Sequence, residues 1–254
     1  MKKISVSYYM LLFLAAFIFG CQLPAGAEEG FAKDQAFMVE QGDKAYEQGL
    51  YEGAVTNWQN ALKINPKAKT NDLLQVRIGL GYFALGKDEQ AKKAFNEALK
   101  INPNNLEAYY NLGELARKNQ DFLEMEKCYQ KLLELKSDEE FYFTYGLIKL
   151  RLGKKAEAAA AFENVVKINP ANIGAVFNLG AIYYDQKDYA MAKDYWAKAY
   201  KMDSQNSNYA YYLALAHYSL GEKKEAADYC KKALKLDKDN KKAEQLLALI
   251  NKKK

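Results

Sequence analysis

The sequence predicts an all-α protein, an α-solenoid of six stacked helix–turn–helix units closed by a C-terminal capping helix. Three observations predict it. A row of mostly small residues, Ala54, Ala91, Met125, Ala158, Ala192 and Ala226, recurs at steps of 37, 34, 33, 34 and 34. A second row, Gly42, Gly79, Gly113, Gly146, Gly180 and Ala214, keeps the same steps. The text between the rows barely changes: "RIGLGYFALGKD", "NLGELARKNQDF" and "NLGAIYYDQKDY" vary one phrase, and "WQNALKINP", "FNEALKINP" and "FENVVKINP" another. A helical pair of this length cannot bury its apolar face alone, so units repeated at this period stack into one continuous core. Half of the 254 residues are apolar, with 20 Tyr and 12 Phe, which is ample material for that core.

The first element differs in composition from the rest. Met1-Lys2-Lys3 is a short positive segment, and an apolar run from Ile4 to Gly20 follows it. Its 17 residues fit the core of an export signal and fall short of the roughly 20 that a membrane span needs. Two processing sites compete. Ile18-Phe19-Gly20-Cys21 resembles the lipobox of bacterial lipoproteins, where a Cys after a small residue is acylated, although Phe19 is larger than the residue usual there. Ala25-Gly26-Ala27 is an A-x-A site whose cleavage would release a soluble protein beginning at Glu28. Cys21 stands directly at the end of the apolar run, which favours residues 1–20 as a lipoprotein signal, Cys21 as the lipidation site and 21–33 as a tether. An uncleaved anchor is the remaining alternative.

The fifth unit, Ile173 to Asn206, shows how each unit is built. Val176, Leu179, Gly180 and Tyr183 form one apolar stripe at helical spacing, and Tyr189, Ala192, Tyr195, Trp196, Ala199 and Met202 form a second. Gln186-Lys187-Asp188 turns between them. Gly86, Gly153 and Gly221 occupy the equivalent turn elsewhere and suit the left-handed residue that closes a helix. Pro66, Pro103 and Pro170 end second helices, since proline can neither continue a helix nor leave its predecessor helical. The small rows let paired backbones approach, and Trp58, Phe95, Phe162 and Trp196 fill the hollows beside them.

These residues resemble the tetratricopeptide repeat family from about Asp34 to Asn240. Six repeats fit, 35–68, 72–105, 106–138, 139–172, 173–206 and 207–240, with one insertion at Lys69 to Asn71 and one deletion. The third repeat departs from the family pattern with Met125 and Ser137, the fourth with Lys149, and the sixth with His217 and Cys230. Residues 241–254 follow as a capping helix and basic tail, with Ala243, Leu246, Leu247 and Ile250 inward and Lys241, Lys242, Glu244 and Gln245 outward.

Chemistry is sparse. The formal charge is +5, from 37 basic and 32 acidic residues occurring along the whole chain, a sum too small to imply nucleic acid. The single histidine, His217, sits in a helical stripe and reads as a core imidazole hydrogen-bonded to backbone. Cys128 and Cys230 lie on second helices three units apart, beyond the roughly 7 Å between Cα atoms that a disulfide spans, and read as small buried hydrophobes. Glu139-Glu140 opens a helix, where carboxylates favour the dipole. No catalytic, cofactor-binding or metal-ligating set follows, and neither a cofactor nor a small-molecule substrate is implied.

The family resemblance implies instead a peptide or partner helix bound in a concave groove lined by the first helix of each repeat. Carried over position by position, the groove comprises Val39, Asp43 and Tyr46; Val76, Arg77, Leu80 and Phe83; and Tyr110, Asn111, Glu114 and Arg117. It continues with Phe143, Thr144, Leu147 and Leu150; Phe177, Asn178, Ala181 and Tyr184; and Tyr211, Tyr212, Leu215 and Tyr218. Rings with adaptable polar neighbours suit protein binding. Family members that clamp a chaperone's C-terminal carboxylate use a Lys/Asn/Asn/Lys/Arg set, and no window here matches more than one of its five positions. The expectation is therefore a non-catalytic scaffold of the bacterial cell envelope, membrane-anchored through Cys21, with a soluble secreted or periplasmic adaptor as the alternative, and an enzyme or a self-assembling structural protein as further ones.

Overall fold

The computed structural model describes residues 27–252, with side chains from Glu29. Among them are thirteen helices and no strand. In chain order they are α1 (Ala27–Glu47), α2 (Tyr51–Ile64), α3 (Asn71–Ala84), α4 (Asp88–Ile101), α5 (Leu106–Lys118), α6 (Phe122–Leu135), α7 (Glu139–Arg151), α8 (Lys155–Ile168), α9 (Ile173–Asp185), α10 (Tyr189–Met202), α11 (Ser207–Ser219), α12 (Lys223–Leu236) and α13 (Lys241–Lys252). They form two compact halves, divided after Leu135. The N-terminal half holds α1–α6 and the C-terminal half α7–α13.

Within each half every odd helix pairs with the even one that follows, and the next first helix packs on that pair. Glycine governs the close contact inside five of the six pairs, and Ala214 takes its place in the sixth. A Cβ at Gly79 would stand 2.4 Å from the Phe95 ring, and one at Gly180 2.5 Å from Trp196. Trp58, Phe95, Phe162 and Trp196 are buried against Gly42, Gly79, Gly146 and Gly180 in turn, and their other sides meet the next first helix.

The later part of the expected tether, 21–33, is helical. Helix α1 already includes residues 27–33, because Phe31 is buried and Gln35, one turn on, donates to the Ala61 carbonyl and to Asn71 Oδ1. Residues 1–20 and Cys21, with the export and lipidation expectations that fall on them, lie outside the described residues.

Turns inside the pairs share one left-handed residue. Gly86, Gly153 and Gly221 have φ of 69°, 74° and 81°, but Gln120 (56°) and Lys187 (65°) adopt the same conformation with a Cβ. A side chain there costs on the order of 1 kcal/mol. Lys187→Gly is accordingly expected to raise stability by about 0.5 kcal/mol after glycine's larger unfolded-state entropy is subtracted. A higher urea midpoint checks it; a lower one would mean that the lysine side chain compensates for its backbone.

Turns between pairs carry a device absent from the sequence reading. Asn105 Oδ1 accepts from the Ala108 amide and so caps α5, while its Nδ2 and that of Asn102 both donate to Asp72 Oδ2 at the start of α3, at 2.9 and 2.8 Å. The C-terminal half repeats this. Asn172 caps α9, and Asn169 and Asn172 donate to Glu139 Oε1 at 2.9 and 2.7 Å. A simpler version joins Asn240 to Ser207. Each clasp ties the start of one first helix to the start of the next.

Burial pushes the Asp72 carboxyl up, but the two asparagine amides and nearby backbone N–H groups outweigh it and hold the group below the ordinary carboxylate value. Because the folded value is the lower one, this stabilisation is present at neutral pH and is lost only as pH falls below about 4. Asp72→Ala strands two amide donors and is expected to cost about 1–3 kcal/mol at pH 7. The difference from wild type in chemical denaturation should shrink toward pH 3; a constant difference would contradict the charged clasp.

Candidate functional site

The candidate surface is the face of the first helices turned away from their second helices. In the N-terminal half this is carried by α1, α3 and α5. Val39 and Tyr46 are half-buried against the Trp58 core, and Leu80 and Phe83 against the Phe95 core. Lys118 Nζ lies 5.3 Å above the Phe83 ring. Val76 lies on the same stripe of α3 as Leu80 and Phe83 but is not available at the surface: at 1% exposure it is core, packed with Phe95 and Leu112. Tyr110, 36% exposed, stands furthest into solvent among the aromatic candidates.

The polar candidates of this half are already engaged. Asp43 Oδ1 accepts from Trp58 Nε1 at 2.9 Å and from Arg77 Nε at 3.0 Å, which links the first repeat to the second. Asn111 donates to the Glu107 carbonyl. Arg117, exposed, pairs with Glu114 at 2.6 Å, and that carboxylate raises the guanidinium pKa further.

In the C-terminal half the row runs over α7, α9 and α11 and is richer in rings. Phe143 meets Phe162 edge-on and Gly174 across the next first helix. Phe177 contacts Trp196, Tyr209 and Tyr212, with the Tyr212 centroid 4.9 Å away. Tyr184 packs on Trp196, and its hydroxyl is 2.9 Å from Ser219 Oγ. Tyr211, Leu215 and Tyr218 line the cluster around Cys230, and burial pushes the Tyr211 phenol above its ordinary pKa. Ala181 and Leu150 are half-buried in the same layer. Asn178 donates to the Gly174 carbonyl, and Thr144 is half-buried beside it in sequence register. Leu147 is 40% exposed and projects from the row.

These rings therefore do two things: they pack adjacent first helices together and present their remaining edges outward. Lys118 in the N-terminal half and Tyr209 in the C-terminal half each join the ring layer of their own half, and single positions do not reveal them, because each reaches a ring on the preceding first helix.

The groups set aside as non-catalytic have defined surroundings. His217 is not bonded to backbone as expected. Its Nδ1 lies 2.5 Å from Glu222 Oε2, its ring stacks on Tyr229, and Lys193 donates to the same carboxylate at 3.0 and 3.2 Å. Lys193, then His217, hold Glu222 below its usual range. This cluster sits among the second helices and the α11–α12 turn, away from the ring-lined face. Lys149, an aromatic position in the family, is buried, with Nζ 2.5 Å from Glu157 and 4.7 Å from the Tyr145 ring centre. Cys128 and Cys230 are free and buried, and burial pushes their thiols up to about 12 and about 11.

Family models match most of the chain from Gly79 onward. A "TPR repeat" covers 79–120, "Tetratricopeptide repeat" covers 106–139, 139–172 and 174–206, and "Fis1 C-terminal tetratricopeptide repeat" covers 207–254. The chain belongs to the tetratricopeptide repeat family. Among curated relatives, it is 29% identical over 156 residues to human tetratricopeptide repeat protein 6, covering 60% of this chain and 29% of that one. It is 26% identical to the type IV pilus assembly protein PilF of Pseudomonas aeruginosa, covering 57% of this chain and 72% of PilF. The chain thus spans less than a third of the human tetratricopeptide repeat protein.

Solved tetratricopeptide structures agree in fold. YrrB, described as a protein with an unusual peptide-binding site, superposes with a TM-score of 0.63 at 16% identity, over 74% of this chain and 96% of its own. The P. aeruginosa PilF structure does so with a TM-score of 0.56 at 16% identity, over 87% and 99%. At these identities the likeness is one of fold. Tetratricopeptide arrays are scaffolds for protein–protein interaction, and the present chain has that architecture.

Proposed function

We propose that the protein is a non-catalytic scaffold of the bacterial cell envelope that holds a peptide or helix of a partner protein along the first-helix face. The observation that carries this reading is the state of that face. Its apolar side chains are half-buried and held by packing, while Asp43, Arg77, Glu114 and Arg117 are paired with one another. A partner would cover ring edges and aliphatic tips without having to desolvate an unpaired charge. Pre-ordered rings lose little entropy on binding, and anchors of this kind carry on the order of 1–2 kcal/mol each. An extended segment or an amphipathic helix suits a surface built from parallel helical rows.

The envelope assignment is supported by the signal-like start of the chain and by Cys21 at the end of its apolar run. The likeness to PilF, named as a type IV pilus assembly protein, supports a role in holding other proteins. Mass spectrometry of the mature N-terminus discriminates: an acylated Cys21 is expected, whereas a free Glu28 would make the protein a soluble adaptor. For the face itself, a photo-cross-linking residue at Tyr110 or Leu147 in the native host is expected to capture one discrete protein. The same probe at Lys93, exposed on α4, should not. Equal capture at all three positions would remove the first-helix face as the binding surface.

A further inference from the structure

Net charge is unevenly distributed. Residues 223–254 hold eleven lysines against five carboxylates, a net +6, while the 222 residues before them sum to −1. Its described part, residues 223–252, forms α12, α13 and their turn. On α12, Lys224, Lys231 and Lys235 share the face opposite buried Ala226, Cys230 and Ala233. On α13, Lys241 and Lys252 flank Ala248 on the face opposite Ala243, Leu246 and Ile250, with Lys242 and Leu249 at its edge, where Lys242 Nζ lies 5.8 Å from the Tyr212 ring centre. All six lysines are exposed, and Leu249 among them is 41% exposed. Among the described residues only Lys231 of these six comes near a carboxylate, at 3.8 Å from Asp228. On earlier helices close pairs such as Lys100–Glu97 at 2.6 Å are common.

We propose that the outer faces of α12 and α13 dock on a bilayer leaflet rich in anionic phospholipid. Lysines that outnumber the carboxylates eleven to five in one short segment repel one another, and an anionic surface relieves that repulsion. The residue type selects the occupant. No arginine follows Arg151, so the face lacks the planar fork that grips a carboxylate of a defined protein partner. Ammonium groups are hydrated point charges suited to a diffuse layer of headgroup phosphates. Leu249, and Leu236 at 36% exposure, supply exposed aliphatic side chains at the edges of the lysine faces, the composition of a helix that lies in a membrane interface. This face would act with or without acylation of Cys21.

The test is co-sedimentation with vesicles, using the chain from Glu28 onward, which retains every buried side chain described because the first of them is Phe31. In about 50 mM salt the protein is expected to bind vesicles of equal parts phosphatidylglycerol and phosphatidylcholine, and not phosphatidylcholine alone, with binding lost near 0.5 M salt. The variant K224E/K231E/K235E/K241E should bind at least ~100-fold more weakly, while K63E/K69E/K92E/K93E, with the same change in net charge, stays within about threefold of wild type. If the first variant melts early by circular dichroism, the Lys→Gln set at the same positions replaces it. Absence of binding to anionic vesicles, or equal losses in the two variants, would overturn the assignment. Retention on immobilised polyglutamate without vesicle binding would overturn it too, and would give the face to an acidic protein segment.

Discussion

Trp196→Ala is expected to lower stability by about 3–5 kcal/mol, the range for emptying a large aromatic site in a close-packed core. Trp196 is 1% exposed, it covers Gly180, and it touches the rings of Phe177, Tyr184 and Tyr212. Its Nε1 also donates to the Phe177 carbonyl at 3.2 Å, so truncation leaves an acceptor without its donor. Repeats interact with their neighbours alone, so the loss should be local. Hydrogen exchange should show protection lost across α9–α11 and retained in α3–α5. Uniform loss would mean that the chain melts as one cooperative block. A cost below about 1 kcal/mol would contradict the packing described around Gly180.

Gly79→Ala is the second large effect, and its sign is the informative part. At an open helical position the substitution stabilises by up to about 1 kcal/mol. Here the new methyl would stand 2.4 Å from Phe95 Cε1, and Phe95 is fully buried with nowhere to swing. A net loss of about 2 kcal/mol is expected from this overpacking. Gly53→Ala is the matched control. Gly53 is exposed in the first turn of α2 and its nearest neighbour would be Ala45 Cβ at 3.9 Å, so a gain of a few tenths of a kcal/mol is expected. Denaturation midpoints moving in opposite directions would establish that Gly79 is required by contact and not by backbone conformation. Two shifts of the same sign would refute the close approach of α3 to α4.

Much of the architecture was legible from the sequence because stacking repeats its requirements at a fixed step. Gly79 and Gly180 each face a buried ring exactly one pair partner away, and such a coincidence recurs visibly along a chain. The start of α1 is hidden in the sequence although Phe31 and Gln35 continue the stripe that leads to Gly42. The polar tether composition around them concealed it. The Asp72 and Glu139 clasps were illegible for a different reason. Each acid meets asparagines 30 and 33 residues later, and neither member of a clasp is unusual by itself.

The candidate face was legible as a set of positions but not as a degree of exposure. Val76 and Arg77 are adjacent in sequence, and one turn-fraction separates core from surface. Lys149 and His217 looked like flaws at packing positions; Glu157 and Glu222 satisfy them through contacts that local spacing does not reveal.

The binding face is tested most directly by measuring the affinity of the cross-linked partner segment for wild type, Leu147→Glu and Lys93→Glu, with thermal melts as the check on folding. The account predicts at least about tenfold weaker binding for Leu147→Glu, unchanged binding for Lys93→Glu and little change in either melt. Unaltered affinity in Leu147→Glu, together with a loss in Lys93→Glu, would place the partner on the second helices and contradict the account.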